Sequence, residues 1–285
     1  MAPKEYAHLR HQDRVLIGSW ARREPDAFRL TALWPAPTGG SAYDARLVTQ
    51  TIRQAGLVVA HAEYGAPLTH QTLLYTFNYR AAPGFRAPRG RPLPLTVEVR
   101  ATGKKQKGRA TTALTLDIQI LQDGITLFHA DSSFGWVSPP AYRRLRGDHH
   151  TVDWAQWDVP SPVPPPTVGH TAPTDVLLAP TATPHCWQLR NDTANTLLYD
   201  HPVDHVPGLV LIEAALQAAH ATGTPAAFHP TEVLTSFDRY VEFDTPCWIE
   251  AQPTPPPSTT ETTLLITGTQ NGRTAFHTKL TGTYR

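Results

Sequence analysis

The sequence predicts an α+β protein, a tandem double fold in which each copy is an antiparallel sheet wrapped around one long central helix. Three observations lead to this prediction. An apolar helix pattern occurs twice, and its polar positions repeat 163 residues apart. Segments rich in β-branched and aromatic residues follow each helix pattern. A proline-rich stretch separates the two halves, so the repeat indicates a duplicated domain.

The helix patterns lie at residues 45–61 and from residue 208 onward. In the second, residues 200–217 read DHPVDHVPGLVLIEAALQ, a polar loop that runs through Pro207 and Gly208 into an apolar helix. Glu213 and Gln217 are four residues apart and therefore share one face of this helix. Their counterparts in the first helix are Gln50 and Gln54.

Strand patterns surround both helices, and two tight-turn signals support them. Asp123-Gly124 and Asn271-Gly272 each favour a two-residue hairpin turn near the end of their copy. The predicted strands lie near residues 28–34, 70–80, 93–102, 110–121 and 125–137 in the first copy, and near 185–190, 231–243, 247–252, 260–270 and 273–284 in the second.

Length and composition limit the possible classes of protein. A chain of 285 residues accommodates about two domains, predicted as residues 1–150 and 173–285, with a proline-rich linker at 151–172. The net charge of +1 gives no general field for nucleic acid. There is no apolar run of roughly 20 residues and no signal-peptide pattern, so we expect a cytoplasmic protein without membrane contact. The sequence predicts no cofactor.

Several polar residues near the second helix are candidates for chemistry. Unpaired N–H groups at the helix start, on Gly208 and Leu209, suit an oxygen with partial negative charge. Glu213 is a carboxylate in an apolar helix and therefore a candidate base. His201, Asp204 and His205 could hold a metal, but no second group of ligands accompanies them, so no metal is expected; they could instead cap the helix and brace its loop.

Four segments closely resemble one protein family. Residues 53–71, 138–148, 200–219 and 239–251, together with the pattern H-P-x-x-x-x-P-G-x-x-x-x-E-A, are similar to the A-factor biosynthesis hotdog family. This AfsA-like family contains the γ-butyrolactone and butenolide autoregulator synthases of actinomycetes. The resemblance implies a hotdog fold and transfer of a β-ketoacyl group from an acyl carrier protein or coenzyme A thioester to the hydroxyl of dihydroxyacetone phosphate.

The resemblance also implies roles for individual residues. A cation must hold the phosphate of the acceptor, and Arg53 and Arg239 are candidates. The candidate catalytic residues are Glu213, His201, His205 and Gln50; the candidate substrate-binding residues are Arg53, Gln54, Asp204, Gly208, Leu209, Gln217 and Arg239. Gln50 and Gln54 could instead bridge helix and loop through their amides. Basic residues 104–107 and 143–146 could be solvated surface or could dock an acidic carrier protein.

The sequence departs from the family pattern at three places. Gln50 occupies a position that is usually glutamate, Leu216 one that is usually arginine, and loop 35–44 lacks the stretch of histidine and aromatic residues that is usual there. Three functions remain open: an altered synthase that uses Glu213, a related dehydratase, cyclase or thioesterase acting on acyl thioesters, and a non-catalytic protein that binds an acyl ligand or a partner. The protein is expected to be a monomeric pseudo-dimer or a homodimer.

Overall fold

The computed structural model describes residues 1–36, 43–88, 90–153, 157–255 and 260–285. Contacts between residues divide the chain into two compact units, Met1–Leu145 and Arg146–Arg285. The first unit contains strands β1 (Ile17–Glu24), β2 (Ala27–Trp34), β3 (Gln71–Ala81), β4 (Leu93–Lys107), β5 (Ala110–Gln122) and β6 (Ile125–Val137), and helices α1 (Ala45–Tyr64) and α2 (Pro139–Arg146), whose last residue belongs to the second unit.

The second unit repeats the topology of the first. Its elements are strands β7 (Leu178–Pro180), β8 (Cys186–Leu189), β9 (Phe228–Phe237), β10 (Cys247–Thr254), β11 (Thr262–Gln270) and β12 (Arg273–Tyr284), and helix α3 (Gly208–Gly223). Within the first unit the strand order is β1-β2-β4-β5-β6-β3, and within the second it is β7-β8-β10-β11-β12-β9. Neighbouring strands within each unit are antiparallel. The predicted α+β arrangement is therefore confirmed.

Each sheet packs around one apolar helix. Helix α1 contacts strands β1, β2, β4 and β5, and helix α3 contacts β7, β9, β10, β11 and β12. Helix α1 is capped at its start by Asp44, whose side chain accepts a hydrogen bond from the Arg46 backbone N–H, and is followed by Gly65 in the left-handed conformation (φ 66°). These caps explain why this helix is sharply bounded.

The two predicted hairpin turns are present. Asp123 and Gly124 both have positive φ, 50° and 81°, as do Asn271 and Gly272, 52° and 68°. Positive φ at both central residues is the backbone of a type I′ turn, whose twist matches that of the strands it joins. The turns connect β5 to β6 and β11 to β12, and Asp-Gly and Asn-Gly tolerate this conformation.

The structure differs from the sequence-based expectation at several elements. Strands β1 and β7 and helix α2 were not predicted, because they are short or carry mixed patterns. Strand β9 ends at Phe237 rather than near residue 243, since the backbone N–H groups of Asp238 and Arg239 both donate to the Ala275 carbonyl and the chain turns away. The segment that follows passes beside the loop before α3, where the Val206 N–H donates to the Val241 carbonyl.

Part of the predicted linker 151–172 is folded onto the second unit. The Val163 N–H donates to the Leu178 carbonyl at 2.9 Å, and Val163 and Val168 are buried. A 3-10 helix, Pro165–Val168, follows and ends at Gly169 with φ 77°. These described residues are therefore part of a folded unit and not a free spacer, while the proposed domain boundaries themselves stay a prediction.

In the described part of the chain, every helix is too short or too polar to cross a lipid bilayer.

Candidate active site

Glu213 is the buried acid of the second unit. It lies on α3, whose neighbouring side chains are apolar, and is 7% exposed. Its Oε1 atom lies 2.9 Å from Nε2 of His170 and accepts a hydrogen bond from Nε2 of Gln217 at 3.1 Å. An ionised carboxylate only accepts hydrogen bonds, so the His170 proton lies on Nε2 when Glu213 is charged. The carboxylate is therefore held in one orientation by two donors.

Gln217 ties α3 to the segment in front of β7. Its Oε1 accepts a hydrogen bond from the Leu177 N–H at 2.8 Å, and its Nε2 donates to the Asp175 carbonyl at 2.8 Å as well as to Glu213. The side chain is 1% exposed. Because its amide is engaged by these groups, Gln217 determines the position of the acid.

Gln54 makes the same two backbone contacts in the first unit. Its Oε1 accepts from the Leu16 N–H at 2.8 Å, and its Nε2 donates to the Arg14 carbonyl at 3.1 Å. Gln54 thus bridges helix and loop, which was one of the two sequence-based alternatives for it. Gln50 differs: its Oε1 is buried and has no hydrogen-bond partner within the described residues.

Replacing Gln217 by leucine is expected to lower the free energy of unfolding by about 1–3 kcal/mol, because the buried Leu177 N–H and Asp175 carbonyl each lose a partner. Gln54→Leu is the matched variant in the first unit and should destabilise by a similar amount. Thermal unfolding measures the stability of both variants, and a catalytic assay distinguishes them. Only Gln217→Leu should also slow turnover, since only the Gln217 amide contacts an acid. Equal effects of both variants on turnover would contradict this assignment.

The loop before α3 is braced by a buried arginine. Arg146 donates from Nε to Asp204 at 3.0 Å and from Nη1 and Nη2 to the two carboxylate oxygens of Glu242, each at 2.6 Å. Its guanidinium lies 4.1 Å from the centre of the Tyr240 ring. Asp204 also lies 2.8 Å from Nδ1 of His205, whose ring meets Tyr240 edge-on. Asp204 therefore links the arginine to the histidine.

Electrostatics favour the charged form of Arg146. Burial alone would lower the pKa of its guanidinium, but hydrogen bonds and charge interactions with Glu242 and then Asp204 outweigh burial and raise the pKa above its ordinary value. Arg146 is therefore always a cation at the base of this loop. The interpretation of residues 143–146 as one solvated basic patch is wrong for Arg146, which is 4% exposed.

The remaining candidates of the second unit lie around the start of α3. His201 is half-buried, and its Nδ1 lies 3.2 Å from Asp200. The N–H groups of Gly208 and Leu209 come before the first backbone bond of the helix, which Val210 donates to Pro207. Arg239 is an exposed residue two positions after the end of β9.

The candidates of the first unit have different surroundings. Arg53 is half-buried, and its Nη1 donates to the Ala7 carbonyl at 2.9 Å. That contact ties α1 to the 3-10 helix Lys4–Ala7. Residues 37–42 of loop 35–44 lie outside the described residues, so the expectation for that loop stays a prediction.

A cavity of about 420 Å³ lies in the second unit, and Glu213 is not among the residues that line it. Asp148, Asp153, Asp158, Glu242 and Asp244 line it together with Trp157 and Phe243. Its acidic wall does not suit a phosphate, and none of the predicted site residues lines it.

Sequence reasoning missed His170 and Arg146. His170 stands in the proline-rich segment that was interpreted as a linker, and Arg146 in a run of basic residues that looked exposed. The internal repeat could have indicated His170. The segment before β7 aligns with the segment before β1, so residues 163–175 belong to the second domain and not to a linker.

One helix wrapped by an antiparallel sheet, present twice in tandem, defines the chain as a double hotdog protein. Solved structures agree on the fold. A putative oleoyl thioesterase from Lactobacillus plantarum superposes with a TM-score of 0.57 at 12% identity, covering 90% of this chain and 96% of that one. The 12:0-ACP thioesterase from Umbellularia californica gives 0.55 at 11% identity, covering 91% and 94%. The predicted hotdog fold is confirmed.

The chain belongs to the A-factor biosynthesis hotdog family. The family model matches residues 1–137 and 154–284. Two relatives are named 2-oxo-3-(phosphooxy)propyl 3-oxoalkanoate synthase. The relative from Streptomyces virginiae is 35% identical over 96% of this chain and 95% of its own length. The relative from Streptomyces coelicolor is 37% identical over 96% and 90%. The resemblance drawn from the four segments is confirmed.

Proposed function

We propose that this protein is a β-ketoacyl transferase that moves a 3-oxoacyl group from a thioester to the hydroxyl of dihydroxyacetone phosphate. Family membership and the names of the relatives support the reaction class. The product in those names is an ester between a 3-oxoalkanoic acid and a phosphorylated oxopropyl group. Such an ester forms when the acceptor hydroxyl replaces the thiol of a 3-oxoacyl thioester.

One observation supports the mechanism most directly: a buried carboxylate, Glu213, is held on α3 close in sequence to the helix start. In the proposed reaction Glu213 takes the proton of the acceptor hydroxyl while that oxygen bonds to the thioester carbonyl carbon. The tetrahedral intermediate then collapses, the carbon–sulfur bond breaks, and the thiolate receives the proton from Glu213. No oxidant, metal or further reactant enters this balance.

The start of α3 supplies the second requirement of acyl transfer. Negative charge develops on the carbonyl oxygen in the transition state, and the N–H groups of Gly208 and Leu209 are suited to stabilise it. The helix dipole adds a partial positive charge at the same place. His201 and His205 remain candidates to contact the acceptor or to assist proton transfer.

The substrates and partners belong to the same proposal. The donor is an acyl carrier protein or coenzyme A thioester, and Arg53 or Arg239 binds the acceptor phosphate. We propose that the protein acts in the cytoplasm as a monomer or homodimer, without nucleic acid, metal or cofactor.

A turnover assay tests the proposed function. Purified protein is incubated with a 3-oxoacyl thioester of coenzyme A, or of a carrier protein, together with dihydroxyacetone phosphate, and products are identified by mass. We expect thiol release only when the acceptor is present, and an ester with the mass of both parts. Thiol release without the acceptor would favour a thioesterase instead. Thermal stabilisation by thioester without any turnover would favour a binding protein.

A further inference from the structure

We infer that acid–base chemistry is confined to the second unit, where His170 is the positioning residue for Glu213. This inference rests on the proposed function and deepens it: one hotdog unit carries the chemistry, and the equivalent place in the other unit carries none. The internal repeat of the structure shows which residues occupy equivalent places in the two units.

The segments in front of β1 and β7 repeat at a spacing of 161 residues. A 3-10 helix occupies Lys4–Ala7 in the first unit and Pro165–Val168 in the second. At this spacing His170 is equivalent to Leu9. Backbone hydrogen bonds repeat in register: Leu9 to Lys4 and His170 to Pro165, each at 3.0 Å, and Ala2 to Ile17 at 3.1 Å and Val163 to Leu178 at 2.9 Å.

The central helices repeat at a spacing of 163 residues. Gln54 and Gln217 occupy equivalent places, because each receives a backbone N–H bond from the leucine in front of its first strand. At the same spacing Glu213 is equivalent to Gln50. The His170–Glu213 pair of the second unit is therefore replaced by Leu9 and Gln50 in the first.

With Leu9 and Gln50 in these places, the first unit loses both the hydrogen bond of the histidine and the proton uptake of the carboxylate. Leucine neither donates nor accepts a hydrogen bond, and a glutamine amide does not take up a proton as a carboxylate does. The Gln50 Oε1 atom is buried and without a hydrogen-bond partner among the described residues. The first unit therefore has no acid and no histidine at the place where the second unit has both.

His170 is held firmly enough to position an acid. Gly169, directly before it, has φ 77° and packs against His220, since a Cβ added at Gly169 would lie 2.9 Å from that ring. The His170 side chain is itself mostly buried, 15% exposed. Gln217 donates to Oε1 of Glu213, and Nε2 of His170 lies 2.9 Å from the same oxygen, so two side chains hold the carboxylate in one rotamer.

A purely structural role is the competing explanation. In the first unit, Arg53 connects α1 to the 3-10 helix through the Ala7 carbonyl, and in the second unit His170 makes the corresponding connection to α3. A tether of this kind affects stability alone, whereas a positioning residue also affects the catalytic rate constant. The experiment must therefore separate the two effects.

The test compares His170→Leu, which copies the first unit, with His170→Gln, which keeps an N–H donor. Leu9→Ala is the matched control at the equivalent place. We expect His170→Leu to lower kcat by about 10²-fold with little change in KM, because a displaced catalytic group loses its alignment. His170→Gln should recover part of the rate. Leu9→Ala should lower the melting temperature and leave kcat unchanged.

A second measurement does not depend on turnover. The melting temperatures of His170→Leu, Glu213→Leu and the double variant form a cycle in which each single change removes the contact, and the two changes should not be additive because the side chains touch. Additive shifts in melting temperature would contradict an interaction between His170 and Glu213.

If the unmodified protein makes the ester and folded His170→Leu keeps its rate, the positioning role is wrong. If Leu9→Ala slows kcat equally, confinement to the second unit is wrong. If the unmodified protein makes no ester, the proposed function is refuted. The thermal cycle then still shows whether His170 and Glu213 interact.

Discussion

Replacing Glu213 by glutamine is expected to lower kcat by about 10²- to 10⁴-fold, the usual contribution of a general base. Glutamine has the same shape, and its Oε1 can still accept from His170 and Gln217, so the fold should be kept. What is lost is the ability to take up the acceptor proton. Single-turnover measurement of ester formation isolates this chemical step from product release.

Glu250→Gln is the control for that variant. It makes the same chemical change on an exposed residue of β10 in the same unit, and it should leave kcat unchanged. If folded Glu213→Gln turns over as fast as Glu250→Gln, Glu213 is not the base. In that case His201 and His205 become the remaining candidates near the start of α3.

Replacing Arg146 by methionine is expected to lower the free energy of unfolding by about 3 kcal/mol, because it leaves two partly buried carboxylates without their buried cation. Asp204 and Glu242 are each about 15% exposed at the side chain and would lose charged hydrogen bonds to a guanidinium that is itself 2% exposed. For a chain of this size the melting temperature should fall by on the order of 10 °C. Differential scanning calorimetry measures both quantities.

Arg143→Met is the matched variant for Arg146, on the same helix but exposed, and it should change stability by less than about 0.5 kcal/mol. Adding Glu242→Gln to Arg146→Met should recover part of the loss, since one uncompensated charge is removed. Equal melting temperatures of the two single variants would contradict the assignment of Arg146 as the anchor of the loop before α3.

Local patterns predicted most of the secondary structure. Helix α1, the hairpin turns at Asp123-Gly124 and Asn271-Gly272, and the long strands of both units follow from periodicity and turn chemistry, because each is decided by neighbours in the sequence. Short strands such as β7 carry too few residues for a period, and the end of β9 depends on hydrogen bonds to Ala275, a residue far along the chain.

The sequence by itself determined the duplicated hotdog fold, the family, and Glu213 as the acid of the second helix, since each of these is expressed by short segments that can be compared without knowing the fold. Only the tertiary structure decided what holds that acid. His170 is 43 residues before Glu213, and Arg146 is 58 and 96 residues from its two partners. Hydrogen bonds across such separations form after the chain has folded, and residue spacing alone does not express them.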